Sequence, residues 1–316
     1  MKYGFVNKNW LCKFVCLLVL IVQPIYNFAL GDLKISGARQ AGMGLNSIGL
    51  VSVYSAYNNQ AAGAYLEHPS FGIYYSPVFV GLGVNNLSGV IVYPMKKQKM
   101  GTFGVSIHYF GYTAYSEKKV GLSYAIKLAK YISIGVQLDY INAKIQGYGS
   151  KNLATFEFGV FARPIPELSI AMHIYNPVKI VIDKATGEKL PIVLRAGITY
   201  EAIKRFFISA QIDKDFSKKL VFRAGVEYTI KDMVSFRAGV ATDPVAGTFG
   251  VGVRLKQGLG IDVACTYQGN LGFSPHFGIL YELKKKKKIA NVTPSAPTSI
   301  EKLAPTITPA SNLPIK

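Results

Sequence analysis

From Pro69 to Leu283 the sequence falls into segments of about ten residues, separated by short turns, in which apolar residues alternate with small or polar ones. A period of two is the period of an extended strand, whose successive side chains point to opposite faces. Phe103, Val105, Ile107 and Tyr109 therefore share one face, and Gly104, Ser106 and His108 the other. The pattern returns with Phe206, Ile208, Ala210 and Ile212 against Ser209, Gln211 and Asp213. It returns again with Phe249, Val251, Val253 and Leu255 against Gly250, Gly252 and Arg254. Turns near Lys96–Gly101, Lys127–Lys130, Pro164–Glu167, Ala202–Lys204, Phe216–Lys218, Lys231–Asp232 and Gln257–Gly258 bring the count to about fourteen strands. An even number places both ends of the strand region on one side.

The alternation alone would also suit a soluble β-sandwich, but such a fold keeps its outer face polar and uses shorter strands. Here the apolar face is rich in Tyr, Phe, Val and Ile, and the whole chain is 50% hydrophobic and only 17% charged. No run of eighteen apolar residues follows residue 31, so a membrane would have to be crossed by strands. The expected fold class is all-β: a transmembrane antiparallel β-barrel of about 14 strands over residues 69–283. A short N-terminal plug segment is expected over residues 32–68. There, Gly42, Gly44 and Gly49 and the small, polar run around Asn58, Asn59 and Gln60 suit a short helix or plug better than a strand.

The two ends differ from this body. Residues 1–31 read as a secretory signal, with Lys2, Lys8 and Lys13 ahead of the apolar run Phe14–Val22 and a cleavage region near Asn27–Gly31. Residues 284–316 open with Lys284–Lys288 and continue through five prolines among Ser and Thr, a composition too poor in apolar residues to pack. The lysine run directly follows the last strand and suits an anionic lipid or an acidic partner, although a solvated end is the commoner use of such a run.

The formal charge of +19 leaves +10 between these ends. The basic residues there are interleaved with apolar ones rather than gathered into a patch, which excludes nucleic acid as a partner. Three segments repeat one unit: Leu194–Ile198, Phe222–Val226 and Phe236–Val240, each with Arg-Ala-Gly at its centre. Strand parity puts Arg195, Arg223, Arg237 and Arg254 on the inward face with Glu201, Asp213, Glu227 and Asp262, where opposite charges can pair away from lipid.

Catalytic and metal chemistry find little support. Ser106 and His108 share a strand face, but their spacing and the absence of a third group favour two lumen-facing polar residues over a nucleophile and its base. His68, His173 and His276 lack metal-ligand spacing, and no glycine-rich stretch has the ending of a phosphate loop. Outside the signal, Cys265 is the lone cysteine. No enzyme, metal or cofactor is expected.

The stretches Gly37–Gly44 and Tyr57–Ala62 resemble the start of the PorV/PorQ family of Bacteroidetes outer-membrane proteins, related to the FadL-type fatty-acid transporters. The resemblance continues through His108–Tyr112, Gln137–Tyr140, His173–Pro177, Leu271–Pro275 and Tyr281–Leu283. It implies a fourteen-stranded barrel with an amino-terminal plug in the cell outer membrane, in contact with outer-membrane lipid. Two departures stand out. Gln60 occupies the place of Pro in the family's Asn-Pro-Ala, and 33 residues follow Leu283 where such barrels tend to end on an aromatic, so the assembly signal is expected around Phe277–Leu283.

The PorV/PorQ resemblance implies a non-enzymatic scaffold or shuttle for type IX secretion or cell-surface assembly, with secreted proteins or secretion-machinery components as partners. The FadL relationship implies the alternative, a channel for hydrophobic small molecules such as long-chain fatty acids. The inward arginines weigh against that alternative, because a charged lumen suits an apolar ligand poorly. Asn176–Pro191 is the longest stretch without strand character and the candidate rim loop.

Overall fold

The computed structural model describes residues 34–95, 100–182, 187, 189–269 and 271–283. The proposed signal, the lysine run and the tail lie outside the described residues.

Fourteen antiparallel strands close into a barrel in which each strand pairs with its sequence neighbours and β1 pairs with β14. They are β1 (Ser70–Val78), β2 (Val84–Pro94), β3 (Thr102–Gly111), β4 (Tyr115–Lys127), β5 (Ile132–Ile145), β6 (Gly149–Ile165) and β7 (Leu168–Tyr175). The second half comprises β8 (Val193–Ile203), β9 (Phe206–Asp215), β10 (Leu220–Ile230), β11 (Val234–Thr242), β12 (Val245–Arg254), β13 (Leu259–Gln268) and β14 (Gly272–Glu282). Each expected turn falls between two strands, and the register slips only at the ends of β6–β7 and β8–β9.

Burial alternates along the wall as parity requires, and the exposed set is the apolar one. Ile107 is 58% exposed, Leu122 60% and Leu138 68%, while Ser106, Ser123 and Gln137 beside them are buried. A water-facing sheet with that outer surface would aggregate, whereas a bilayer covers it. Strands of about ten residues, tilted as in barrels, span the ~25 Å apolar band of such a wall. Aromatic pairs mark both edges of the band. Phe71–Tyr281, Phe103–Tyr124 and Phe206–Tyr228 lie near the mouth where β1 begins and β14 ends, and Tyr75–Phe277 and Tyr267–Phe273 toward the other.

Residues 34–68 run inside the barrel. They form two short helices, Ala38–Gly42 and Ser55–Asn58, and a 3-10 helix, Gln60–Tyr65, whose Asn59 cap accepts the Ala61 amide. The backbone comes so close to the wall that several inward positions must be glycine. A Cβ at Gly225 on β10 would overlap the Met43 carbonyl, and one at Gly239 on β11 the Gly44 backbone. These glycines, unremarkable in a strand pattern, are the seats of the plug.

The expected rim loop between β7 and β8 is exposed at Val178, Lys179, Val181 and Lys189 but turns Ile182 and Leu190 inward. Its Ile182 and Leu190 are buried with Ile141, Leu153, Tyr175 and Val193 of β5 to β8, at the mouth opposite the start of β1 and the end of β14. Asn176, at φ 49°, holds the turn: its Nδ2 donates to the Leu190 and Pro191 carbonyls at 3.0 and 3.2 Å, and its Oδ1 accepts from Thr155 at 2.7 Å. Apolar residues at both feet of a charged loop supply the driving force, since burying each such side chain contributes roughly 1.5–3 kcal/mol.

Candidate functional site: the lumen between plug and wall

The inward faces of β4 to β13 carry three clusters of charge. The largest alternates in sign from plug to wall. Arg39 of the plug grips Glu227 with two bonds, Nε–Oε2 at 2.8 Å and Nη2–Oε1 at 2.6 Å. Arg237 donates to the same carboxylate at 2.5 Å and to Asp262 at 2.8 Å, and Asp262 also accepts two bonds from Arg254. Glu227 and Arg237 are direct cross-strand partners. Gly252 leaves the space they need, because a Cβ there would lie 2.6 Å from the Arg237 guanidinium. Five charges so paired satisfy one another at a depth where a lone one would be costly.

A second cluster spans β4 to β8. Glu157 accepts from Lys119 at 2.7 Å, from Gln60 of the plug at 2.7 Å and from His173 Nε2 at 3.0 Å. The other imidazole nitrogen lies 3.2 Å from Arg195 Nη2, which can only donate, so His173 is neutral with its proton on Nε2. Lys119 also stands 3.8 Å from Asp139 and 4.3 Å above the centre of the Tyr57 ring. The third cluster joins Arg223 to Asp213 at 2.7 Å. Gln211, bonded to Asp213, accepts the Ser47 and Ile48 amides of the plug.

The residues singled out from sequence thus have different fates. Arg223, Arg237, Arg254, Asp213, Glu227 and Asp262 meet opposite charges. Arg195 meets none directly, bonding instead to His173, Ser47 Oγ and the Asn58 carbonyl. Glu201 is drawn out to the β8–β9 turn, where it accepts the Arg205 amide. In the plug, Asn58 pairs with the backbone of Ser36 in both directions, and Asn59 donates to the Ile48 and Val160 carbonyls. Gln60 sits at the first position of the 3-10 helix, a place that also suits Pro, so the departure from Asn-Pro-Ala keeps the turn and adds the bond to Glu157. His108 binds Asn86 at 2.7 Å and lies against the Tyr57 ring, away from any role as a base for Ser106. Sequence reasoning missed Arg39, Lys119, Asp139 and Glu157, although parity with Gly121, Gln137 and Gly159 assigns the last three to the inner face.

The remaining sector is different in kind. The inward faces of β1, β2 and β3 carry no Lys, Arg, Asp or Glu. Tyr74, Val90 and Val92, with Leu280 of β14, pack against Ala38, Val53, Tyr54 and Ala56 of the plug. Tyr54 fixes the plug there by donating to the Ile73 carbonyl at 2.7 Å. One side of the plug is therefore held by charge and the other rests on an uncharged wall.

No protein-family model matches the sequence, and no curated protein matches it in sequence. Among solved structures the chain is similar to the Ralstonia pickettii toluene transporter TbuX, at 13% identity and a TM-score of 0.61, over 80% of this chain and 100% of that one. It is similar also to the CymD monoaromatic hydrocarbon channel, at 11% identity and a TM-score of 0.61, over 80% and 99%. A Pseudomonas aeruginosa FadL homologue follows at 12% identity and a TM-score of 0.58, over 79% and 99%. Identities this low speak to architecture alone, and what this chain shares with these structures is the barrel fold.

Proposed function

We propose that this protein is a non-enzymatic outer-membrane channel for small hydrophobic molecules, with residues 34–68 as its gate. The observation that carries the reading is the uncharged sector, where plug residues Val53, Tyr54 and Ala56 meet Tyr74, Val90, Val92 and Leu280. An apolar solute meets no charge along such a wall, whereas passing the charge clusters on β4 to β13 would cost it their desolvation. The inward arginines therefore no longer weigh against a channel, because they stand on the other side of the plug. The shared architecture with hydrocarbon transporters supports the same reading.

The type IX scaffold, placed first on sequence, receives no such support. A scaffold needs broad apolar or aromatic rim loops. The connections β1–β2, β3–β4, β5–β6 and β9–β10 are short, and the longer β7–β8 loop packs Ile182 and Leu190 against β5 to β8.

The test is uptake of radiolabelled toluene and oleate by Gram-negative cells that lack their own hydrophobic channels. Wild-type protein should raise uptake of at least one of them severalfold. Val90→Lys, which puts a charge into the apolar sector, should abolish the gain while the barrel still folds. Equal uptake with and without the protein would refute the channel.

A further inference from the structure

We propose that the outer surface of β2 to β5, at the mouth opposite the start of β1, is a binding site for the phosphate-bearing headgroup of a membrane lipid. A cleft of about 560 Å³ opens there between Asn85, Tyr109, Tyr112, Lys118, Lys144 and Gln146. It lies on the lipid side of the wall. Lys118 pairs across strands with Tyr109 on one side and Asn142 on the other, and all three share the outward parity of Ile107 and Val120.

The composition of that face changes along the barrel axis in step on three adjacent strands. On β4 the outward residues run Leu122, Val120, Lys118; on β5 they run Leu138, Tyr140, Asn142, Lys144; on β3 they run Val105, Ile107, Tyr109. Steps of two residues are about 6–7 Å, so the apolar face gives way to ammonium, amide and phenol groups within one such step. That column matches one molecule in outline: acyl chains against Ile107, Val120, Leu122 and Leu138, and an anionic headgroup against Lys118 and Lys144.

Charge selects the headgroup. Neither Asp nor Glu lines the cleft, and Glu117, between Ser116 and Lys118, points to the lumen. Two lysines without a carboxylate between them favour phosphate, and the Tyr109 and Tyr112 hydroxyls and the Asn85 and Gln146 amides can supply further donors. A soluble anion would use the lysines but not the apolar column beneath them, which commits the site to lipid.

The inference rests on the wall lying in a membrane, and the test separates the two. The full chain is first inserted into phosphatidylcholine vesicles; failure to insert overturns both. Protein extracted in mild detergent is then titrated with a bisphosphorylated glucosamine disaccharide lipid, with phosphatidylcholine or with inorganic phosphate, and bound species are counted by native mass spectrometry. The glycolipid should be retained over phosphatidylcholine. Lys118→Gln with Lys144→Gln should weaken its retention about tenfold or more. Lys118→Arg with Lys144→Arg should keep it, and Lys231→Gln with Lys256→Gln, the same charge loss at the other rim, should leave it unchanged. Retention that is indifferent to Lys118 and Lys144, or that millimolar inorganic phosphate abolishes, overturns the proposal.

Discussion

Gln60 of the plug and Glu157 of β6 are joined by a 2.7 Å hydrogen bond, and Glu157 is the carboxylate that also accepts from Lys119 and His173. The gate is thereby wired to a wall cluster by one neutral side chain. Replacing Gln60 removes the wire and leaves Glu157 with its two other donors. A hydrogen bond to a charged group contributes roughly 1.5–3 kcal/mol. Gln60→Ala and Gln60→Pro should therefore both loosen the plug while the barrel persists, with Pro the milder change because the first helical position accepts it. Amide exchange across residues 58–66 should accelerate in both variants, and unchanged protection would show that the bond does not anchor the gate.

Glu227 should be the most sensitive member of its cluster. It holds Arg39 of the plug and Arg237 of β11 together, so Glu227→Ala strands the Arg39 guanidinium and leaves Arg237 with Asp262 alone. Breaking a buried pair in this way costs about 3–5 kcal/mol. Arg39→Ala should cost less, because Arg237 still covers Glu227, and the double variant should fall short of the sum of the singles. Thermal unfolding of the four proteins in detergent gives the cycle; additivity would mean that the cluster does not act as a unit.

Much of this architecture could be read from periodicity because a barrel wall writes its two faces into every strand. The alternation of Phe103–Tyr109 sets β3, and the parity that turns Arg237 inward also turns Glu227 inward, its partner one strand away. Contacts that depend on the path of the plug were not legible. Gly225 and Gly239 look like any strand glycines until Met43 and Gly44 are laid against them. Lys119, Asp139 and Glu157 come from three strands, and only the register brings them into one cluster. Glu201 shares the parity of Arg195 but lies at a bulged strand end, where the nearest donor is a turn amide. The β7–β8 loop misled because its charged middle hides apolar feet.

The Arg205–Asp232 pair links the β8–β9 and β10–β11 turns at the mouth where β1 begins, with Arg205 Nε 2.5 Å from Asp232 Oδ1. The hydrogen bonds from Arg205 hold the Asp232 carboxyl below its ordinary value of 3.8 against the opposing effect of desolvation, and the charges of Arg205 and Lys204 add to the lowering. A depressed carboxyl contributes stability that is complete above its unfolded-state value and is lost as pH falls through the folded one. Both side chains are exposed, so the effect stays local to the turns. Acidification below about pH 4 should therefore mobilise these turns, and Asp232→Asn should mobilise them already at neutral pH and remove the dependence. Carboxyl-carbon NMR of Asp232 checks the direction: titration at or above the ordinary value would contradict it.

The β7–β8 loop covers the inner side of β5 to β8 at the far mouth through Ile182 and Leu190, and Asn176 is its latch. Asn176→Gly keeps the left-handed backbone, which glycine adopts freely, while deleting the bonds to Leu190, Pro191 and Thr155. Leu190→Ser attacks the same closure from its apolar side. If hydrophobic solutes enter through this mouth, both changes should raise the rate of toluene or oleate uptake, because the loop no longer has to be lifted against its own burial. The wall is untouched, so unfolding temperature should change far less than uptake. Selectivity should also persist, since the apolar sector around Val90 and Val92 lies deeper in the barrel. Uptake that stays constant or falls in both variants would mean that solute does not pass beneath this loop.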